Sequence, residues 1–376
     1  MSEMVLQRWT ERIQAARAAG RTLQIRGGDT REFYGEPRRL AADTDPVEGW
    51  IETRELQGVS SYEPSELVIT ARAGTLLSDL EALLAQHGQC LAFEPPRFGP
   101  ASTVGGMVAA GLSGPARASV GCVRDFVLGT SLLNGRGELM RFGGQVMKNV
   151  AGYDISRVLA GSLGVLGVIC EVSLKVLPNA PATATLRFDL EQARALEALH
   201  RWAGEGLPLS ASAWWSGTLV LRLSGAEAAV ASAARRLGGE RIEPALAQRF
   251  WSELRDHSDD FFRAADQAIA AGHATLWRLS VPPTAAPLDL AGEQLIEWGG
   301  GQRWLLTPES VERVRWVAAE AGGHATIFQA LDRRAASAGQ GVFTPLTPAL
   351  ERIHRQLKLA FDPDRVFNPG RLYPDL

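Results

Sequence analysis

Apolar residues at every second position mark the plainest strand of the chain: in EVSLKVL, Val172, Leu174 and Val176 alternate with Glu171, Ser173 and Lys175, the period of a half-buried strand. Residues 66–73 form another β-rich stretch. After it Leu77, Leu80 and Leu84 recur at helical spacing, with Thr75 placed to cap that helix. Asn134-Gly135, between DFVLGTSLL and ELMRF, predicts a hairpin. At the start, MSEMVLQRWTERIQAARAAG reads as an amphipathic helix. Glu3, Arg8, Glu11 and Arg12 break up its apolar residues, so no signal-peptide core is expected.

The pattern changes once. From residue 22 to about 177, strands, glycine-rich turns and helices alternate, and then Pro178 and PNAPATA mark a boundary. Beyond it TATLRFDL, TLVLRL and TLWRLSV read as strands separated by helices, the clearest over 226–237, without Gly-rich turns of the phosphate-holding kind. A last helix begins with Thr347 as N-cap and Pro348 in its first turn, runs to about Phe361, and is followed by FNPGR. DRRAASAGQG, 332–341, reads as a flexible loop, and its Arg333-Arg334 pair as solvated.

Composition narrows the function classes. A chain of 376 residues has room for two or three domains, and 45% hydrophobic with 22% charged residues is the balance of an ordinary soluble globular protein. A net charge of -3 gives no general attraction to nucleic acid or anionic lipid. No uncharged apolar run approaches the ~20 residues needed to span a bilayer, so the cytoplasm is the expected location. Cys90, Cys122 and Cys170 lie far apart and form no CxxC pair, so this chain is not expected to ligate an iron-sulfur cluster or any metal by itself.

Three glycine clusters carry the candidate chemistry. Gly27 and Gly28 follow the strand-like TLQIR, with Asp29 and Thr30 next and arginines on both sides; consecutive amides there can form a concave anion site. FGPASTVGGMVAAGLSGP, 98–115, offers Ser102, Thr103 and the Gly105-Gly106 pair. AGSLGVLGVI, 160–169, spaces Gly161, Gly164 and Gly167 by three. One such turn is ordinary structure, whereas three within about 150 residues point to a phosphate-containing ligand. Neither GxGxxG nor GxxxxGK[ST] is present, so the ligand is held in another way.

RGGDT, PASTVGGMVA, VRDFVLG, KNVAGYDISRVLAGSLGVLGVI and FDPDRVFNPGRLY together resemble the FAD-binding domain of the vanillyl-alcohol-oxidase-type flavoproteins. With FEPPRFGPAS, GEQLIEWGG and GGHAT, the chain is similar from end to end to the FAD-binding subunits of bacterial glycolate oxidase, also called glycolate dehydrogenase. The fold implied is α+β: a two-part PCMH-type FAD-binding domain (1–178), an α/β cap domain with a mainly antiparallel sheet for substrate or partner binding (179–345), and a C-terminal helix and turn returning to the FAD site (346–376). The resemblance implies that Arg26, Gly27, Gly28, Asp29 and Thr30 wrap the FAD diphosphate through backbone amides. Pro100, Ser102, Thr103, Gly105 and Gly106 would pack on the cofactor from the other side. Gly161, Ser162, Gly164, Val168 and Ile169 would lie along its ring systems, and Asn368 and Arg371 would close the site. Relatives with covalent flavin carry a histidine in or just after the first turn. Asp29 and Thr30 stand there in this chain, so noncovalent FAD is expected.

Oxidation of a 2-hydroxy acid needs a hydride acceptor, a base for the hydroxyl proton and a cation for the carboxylate. Substrate-oxidising relatives supply base and metal ligands from an HxGDGNxH-type cluster; at the analogous place GGHATIFQA keeps only His324. Arg278 and Arg303 are the candidate carboxylate clamps, since arginine can grip a carboxylate through two parallel hydrogen bonds. Each of the three also has an ordinary reading as a packed or surface side chain. Tyr153 and Asp154 could approach the flavin or simply serve a turn, and Trp214, Trp215, Trp277, Trp298 and Trp304 are expected mainly in the core. The resemblance implies a related flavoprotein subunit, an iron-sulfur subunit that takes the electrons, and attachment to the inner face of the cell membrane only through them. Three roles stay open: FAD carrier in a glycolate-oxidising complex, a flavin-bearing scaffold without redox chemistry, and a free-standing dehydrogenase for a D-lactate-like 2-hydroxy acid.

Overall fold

The computed structural model describes residues 2–38, 49–144 and 154–376, so Tyr153 lies outside the described residues. The N-terminal helix α1 (Ser2–Ala18) buries Val5, Trp9, Ile13 and Ala16, one helical stripe, against Leu133, Val168 and Phe367. A short parallel pair follows, β1 (Gln24–Arg26) with β2 (Trp50–Glu52). Five antiparallel strands then make the first sheet: β3 (Val59–Glu63), β4 (Val68–Arg72), β5 (Val127–Leu133), β6 (Leu139–Gly143) and β7 (Val168–Lys175), in the order β3-β4-β7-β5-β6.

Strand β7 is central, and its alternation is interrupted. Ser131 faces Glu171 and Leu132 faces Ile169, so Cys170 is an extra residue in a bulge. A one-residue slip inverts side-chain direction. Ile169 therefore joins the face that carries Val172, Leu174 and Val176, while Val168 and Cys170 pack with α1 on the other. Helix α2 (Leu77–Gln86) buries Leu77, Leu80 and Leu84 completely, as its spacing predicts. Its N-cap is Leu76 rather than Thr75, because the Thr75 hydroxyl is engaged with the amide and carbonyl of Gly58. The Asn134-Gly135 hairpin is also wider than the sequence suggests. The loop spans residues 134–138, Asn134 Oδ1 accepts from the amides of Arg136 and Glu138, and Gly137 takes the left-handed conformation (φ 77°). Gly135 is glycine for contact: a Cβ there would lie 2.1 Å from Asp362 Oδ1.

Beyond residue 180 the chain forms one antiparallel sheet of eight strands. Strands β8 (Ala182–Asp189), β9 (Leu209–Trp215), β10 (Thr218–Gly225), β11 (Thr275–Ser280), β12 (Glu293–Glu297), β13 (Gln302–Thr307) and β14 (His324–Gln329) run in the order β8-β10-β9-β12-β13-β11-β14, with the two-residue strand Glu240–Arg241 beside β8. Helices cover it, among them the alanine-rich Glu227–Leu237. Its other face meets the first half of the chain, where Tyr34, Ala110 and Leu112 share one core with Ala211, Phe262, Trp304 and Phe328.

The last helix, Pro348–Phe361, has Thr347 as N-cap accepting from Leu350 N and Pro348 in its first turn. Its end is fixed by a buried ion pair, Lys358 Nζ to Asp362 Oδ2 at 2.8 Å, and the Asp362 carboxylate also accepts from the amides of Val366 and Phe367. Lys358 adds bonds to the carbonyls of Val165 and Phe367. Residues 363–376 are thereby returned to β1: Leu23 N donates to Val366 O, and Asn368 N to Leu23 O. The stretch 332–341 begins with a short helix, Arg333–Ala336, capped by Asp332, and is not the open loop its composition suggests.

Candidate functional site

A cleft enclosing about 760 Å³, partly continuous with solvent, runs along the turn after β1. Gly27, Gly28, Asp29 and Thr30 form one wall; Thr103, Gly105 and Gly106 face them; Leu163, Gly164 and Ile169 continue the lining; and Asn368 and Arg371 come from the C-terminal tail. Of the other residues expected there, Arg26 turns to pair with Asp29 at 2.5 Å, and Pro100 is exposed. Ser102 is buried behind the wall as acceptor for Arg31, at 2.8 Å. Gly161 and Ser162 open on a different hollow, beside His354 and Lys358, and Val168 is buried under the first sheet.

The first turn is shaped by close approach. A Cβ on Gly28 would sit 1.6 Å from Ala101 O and one on Gly27 would sit 2.8 Å from Thr103 Oγ1, so only bare backbone fits against the second loop. Neither glycine has positive φ; the left-handed residue is Asp29 (φ 53°). The amides of Gly27, Gly28, Asp29 and Thr30 have no hydrogen-bond acceptor among the described residues. Thr103 Oγ1 accepts from Gly106 N and Gly105 N donates to Ala73 O, which fixes the opposite wall. Asn368 clips the two ends of the cleft together, accepting from Ile25 N at 2.9 Å and donating to Leu163 O at 2.8 Å.

Two cations that sequence reasoning did not single out line the same cleft. Arg31 donates to Ser102 Oγ, Thr30 Oγ1 and Pro96 O, and its Nε is buried without an acceptor among the described residues. No carboxylate lies within ion-pair distance of it among those residues, and desolvation pulls its pKa down to about 10. Arg38 lies 3.1 Å from Asp29 and 2.6 Å from Glu32. The only signal for either was the density of arginine in QIRGGDTREFYGEPRR. A desolvated arginine whose hydrogen-bond partners are all neutral and whose charge is offset only by the more distant Asp256, beside four amides without an acceptor among the described residues, is the chemistry of a site for a multiply charged anion.

The candidate chemical residues lie elsewhere. Arg303 is fully buried on the outer face of the cap sheet, its guanidinium donating to the carbonyls of Gly300, Ala286 and Ala285; a substrate carboxylate would have to displace these bonds. Its register partner is Leu279, whereas Arg278, one residue away, faces the first half of the chain. Arg278 donates to Gln302 Oε1 at 2.7 Å and lies over the Trp298 ring, with Tyr34 and Glu297 as its polar neighbours; burial lowers its pKa. Glu297 accepts from Gln302 and from Trp304, and burial raises it to about 7. His324 is exposed at the start of β14. Asp154 holds its own turn, accepting from Ser156 and pairing with Arg157. Arg278 is not among the residues lining the cleft; beside it Phe33 and Phe98 touch Phe328, which packs at 4.6 Å on Trp304, the register partner of Arg278, and His257 stacks on Phe262 at 3.9 Å. Of the tryptophans, Trp214, Trp277, Trp298 and Trp304 are buried in packed core.

The cleft is built to take a multiply charged anion, and residues 9–143 match the FAD binding domain family, which makes the chain an FAD-binding flavoprotein. The chain is 43% identical over 366 residues, 97% of both chains, to the glycolate oxidase subunit GlcE of Escherichia coli, and it belongs to that family. Glycolate oxidase subunit GlcD of Bacillus subtilis is 29% identical over 155 residues, 40% of this chain and 33% of that one. The D-lactate dehydrogenase of Anaerostipes hadrus is 31% identical over 141 residues, 38% of this chain and 29% of that one. A solved alkyldihydroxyacetonephosphate synthase shares the fold, with a TM-score of 0.59 at 14% identity over 95% of this chain and 73% of that one. The cofactor is FAD.

Proposed function

We propose that this chain is the FAD-bearing subunit of a complex that oxidises glycolate to glyoxylate and hands the electrons to an iron-sulfur partner. The amides of Gly27, Gly28, Asp29 and Thr30 would hold the FAD diphosphate with Arg31 as its counter-charge, and Thr103, Gly106, Gly164 and Asn368 would flank it. When bound, FAD supplies the acceptor for two electrons and a proton from the carbinol carbon of a 2-hydroxy acid. We assign noncovalent attachment, because Asp29 and Thr30 occupy the first turn, where covalent relatives carry a histidine.

Dependence on a partner rests on one observation: none of Arg278, Arg303 and His324 is among the residues lining the cleft, Arg278 being engaged with Gln302 and Trp298, Arg303 committed to carbonyls and His324 at an exposed strand end. A base and a carboxylate clamp are therefore not assembled beside the cleft by the described residues. The relatives support the same assignment, since a second glycolate oxidase subunit, GlcD, is similar over 155 residues, 40% of this chain. Among the described residues no helix is long and apolar enough to cross a membrane, and we assign any membrane association to the partners.

Anaerobic mixing with glycolate tests the proposal. The purified chain with FAD bound should keep its flavin absorbance, and the assembled complex should bleach. Bleaching of the isolated chain by glycolate or D-lactate would replace the proposal with a free-standing dehydrogenase.

A further inference from the structure

Five consecutive carbonyls, those of residues 32–36, are all turned toward two guanidinium groups from remote parts of the chain. Arg333 Nη1 donates to Glu32 O at 3.2 Å, Phe33 O at 2.7 Å and Gly35 O at 2.5 Å. Arg371 donates to Glu36 O through Nη1, and through Nη2 to Glu32 O at 2.9 Å and Tyr34 O at 2.7 Å. The first arginine stands just past the last strand of the cap sheet, and its backbone is fixed because Asp332 accepts from the next two amides. The second comes from the C-terminal tail.

Carbonyl dipoles gathered in this way repel one another unless cations sit among them, so the segment depends on the two arginines for its conformation. It also continues directly from the turn whose amides have no acceptor among the described residues. Glu32 N donates to Asp29 O and Asp29 is left-handed, so a tight turn joins the cleft-lining residues 27–30 to the carbonyls that the arginines hold.

We propose that Arg333 and Arg371 are positioning residues for the diphosphate turn: by gripping the carbonyls of 32–36 they hold the amides of 27–30 toward the cleft, which couples FAD affinity to the seating of the cap and the tail. The proposal rests on the assignment of the cleft to FAD. Arg333 is the side to test, being at the surface of the fold (side chain 15% exposed) where substitution leaves the core intact. All its bonds to the turn leave one nitrogen, so lysine, a compact cation, can replace much of it.

The full chain, stripped of FAD, is titrated with FAD by fluorescence at a temperature where every variant is folded, and amide hydrogen exchange is followed in parallel. Arg333→Met should weaken FAD binding at least tenfold and speed exchange over 27–36 while the cap strands keep native rates. Arg333→Lys should restore most of the affinity, and Arg334→Met should change nothing. Native affinity in Arg333→Met, a loss that lysine does not relieve, or exchange that rises equally throughout the cap would each overturn the proposal with the FAD assignment intact. A native chain without affinity for FAD would overturn both.

Discussion

Arg31 is the residue on which the electrostatics of the cleft turn. Its hydrogen-bond partners are the hydroxyls of Ser102 and Thr30 and the carbonyl of Pro96, all neutral, and the carboxylate that acts on it, Asp256, stands beyond ion-pair distance and is itself paired with Arg255. Removing it should separate affinity from stability. Arg31→Met is expected to weaken FAD binding about tenfold or more, the value of a charge-assisted contact to phosphate, while the melting temperature of the FAD-free protein changes by only a few degrees. Fluorescence titration and thermal denaturation of the same preparation measure the two; unchanged affinity would take Arg31 out of the field of the diphosphate. Gly28 contributes differently, through what it lacks, since the carbonyl of Ala101 occupies the space of any Cβ.

At the scale of elements, the C-terminal helix holds the tail through Lys358 and Asp362, and both are buried. Lys358→Met leaves the carboxylate without its cation in a closed site, which should cost about 3–5 kcal/mol in urea denaturation and should lower FAD occupancy as Asn368 loses its position. This helix was fully legible in the sequence, because Thr347 and Pro348 are local signals that tertiary contacts do not override. The periods of α2 and of the central strand were legible as well, but not the cap, which falls to Leu76 because Thr75 is tied to Gly58. Less legible was anything set by contact between distant segments. The bulge at Cys170 that places Ile169 on the cleft and Val168 beneath the sheet depends on pairing with β5. The strands β9, β12, β13 and β14 gave weaker signals than β8, β10 and β11, since Trp214-Trp215 and the glycines around Trp298 obscure their alternation. Arg333 read as solvated because its acceptors are main-chain atoms some 300 residues away, and carbonyls leave no trace in composition.

For the whole molecule, the seam between the two halves carries a titratable group in an unusual state. His257, stacked on Phe262 and edged by Phe98 and Trp304, is desolvated and also faces the charge of Arg278, which brings its pKa down to about 3. In the unfolded chain it takes up a proton near pH 6.5. The folded state therefore keeps this contribution to stability above that value and loses it as the pH falls from 6.5 toward 3, at about 1.4 kcal/mol per pH unit. His257→Phe keeps the stack and should flatten that part of the profile, measured as unfolding free energy in urea between pH 7 and 4.5; an unchanged slope would place the acid sensitivity on other groups. Closure of the cleft itself falls to a single amide side chain from the C-terminal tail. Asn368 accepts from Ile25 N and donates to Leu163 O, segments 343 and 205 residues before it in the chain. Asn368→Ala keeps the first sheet and the glycine turns but removes the amide that bridges them, so the two banks of the cleft would be free to part without any loss of secondary structure.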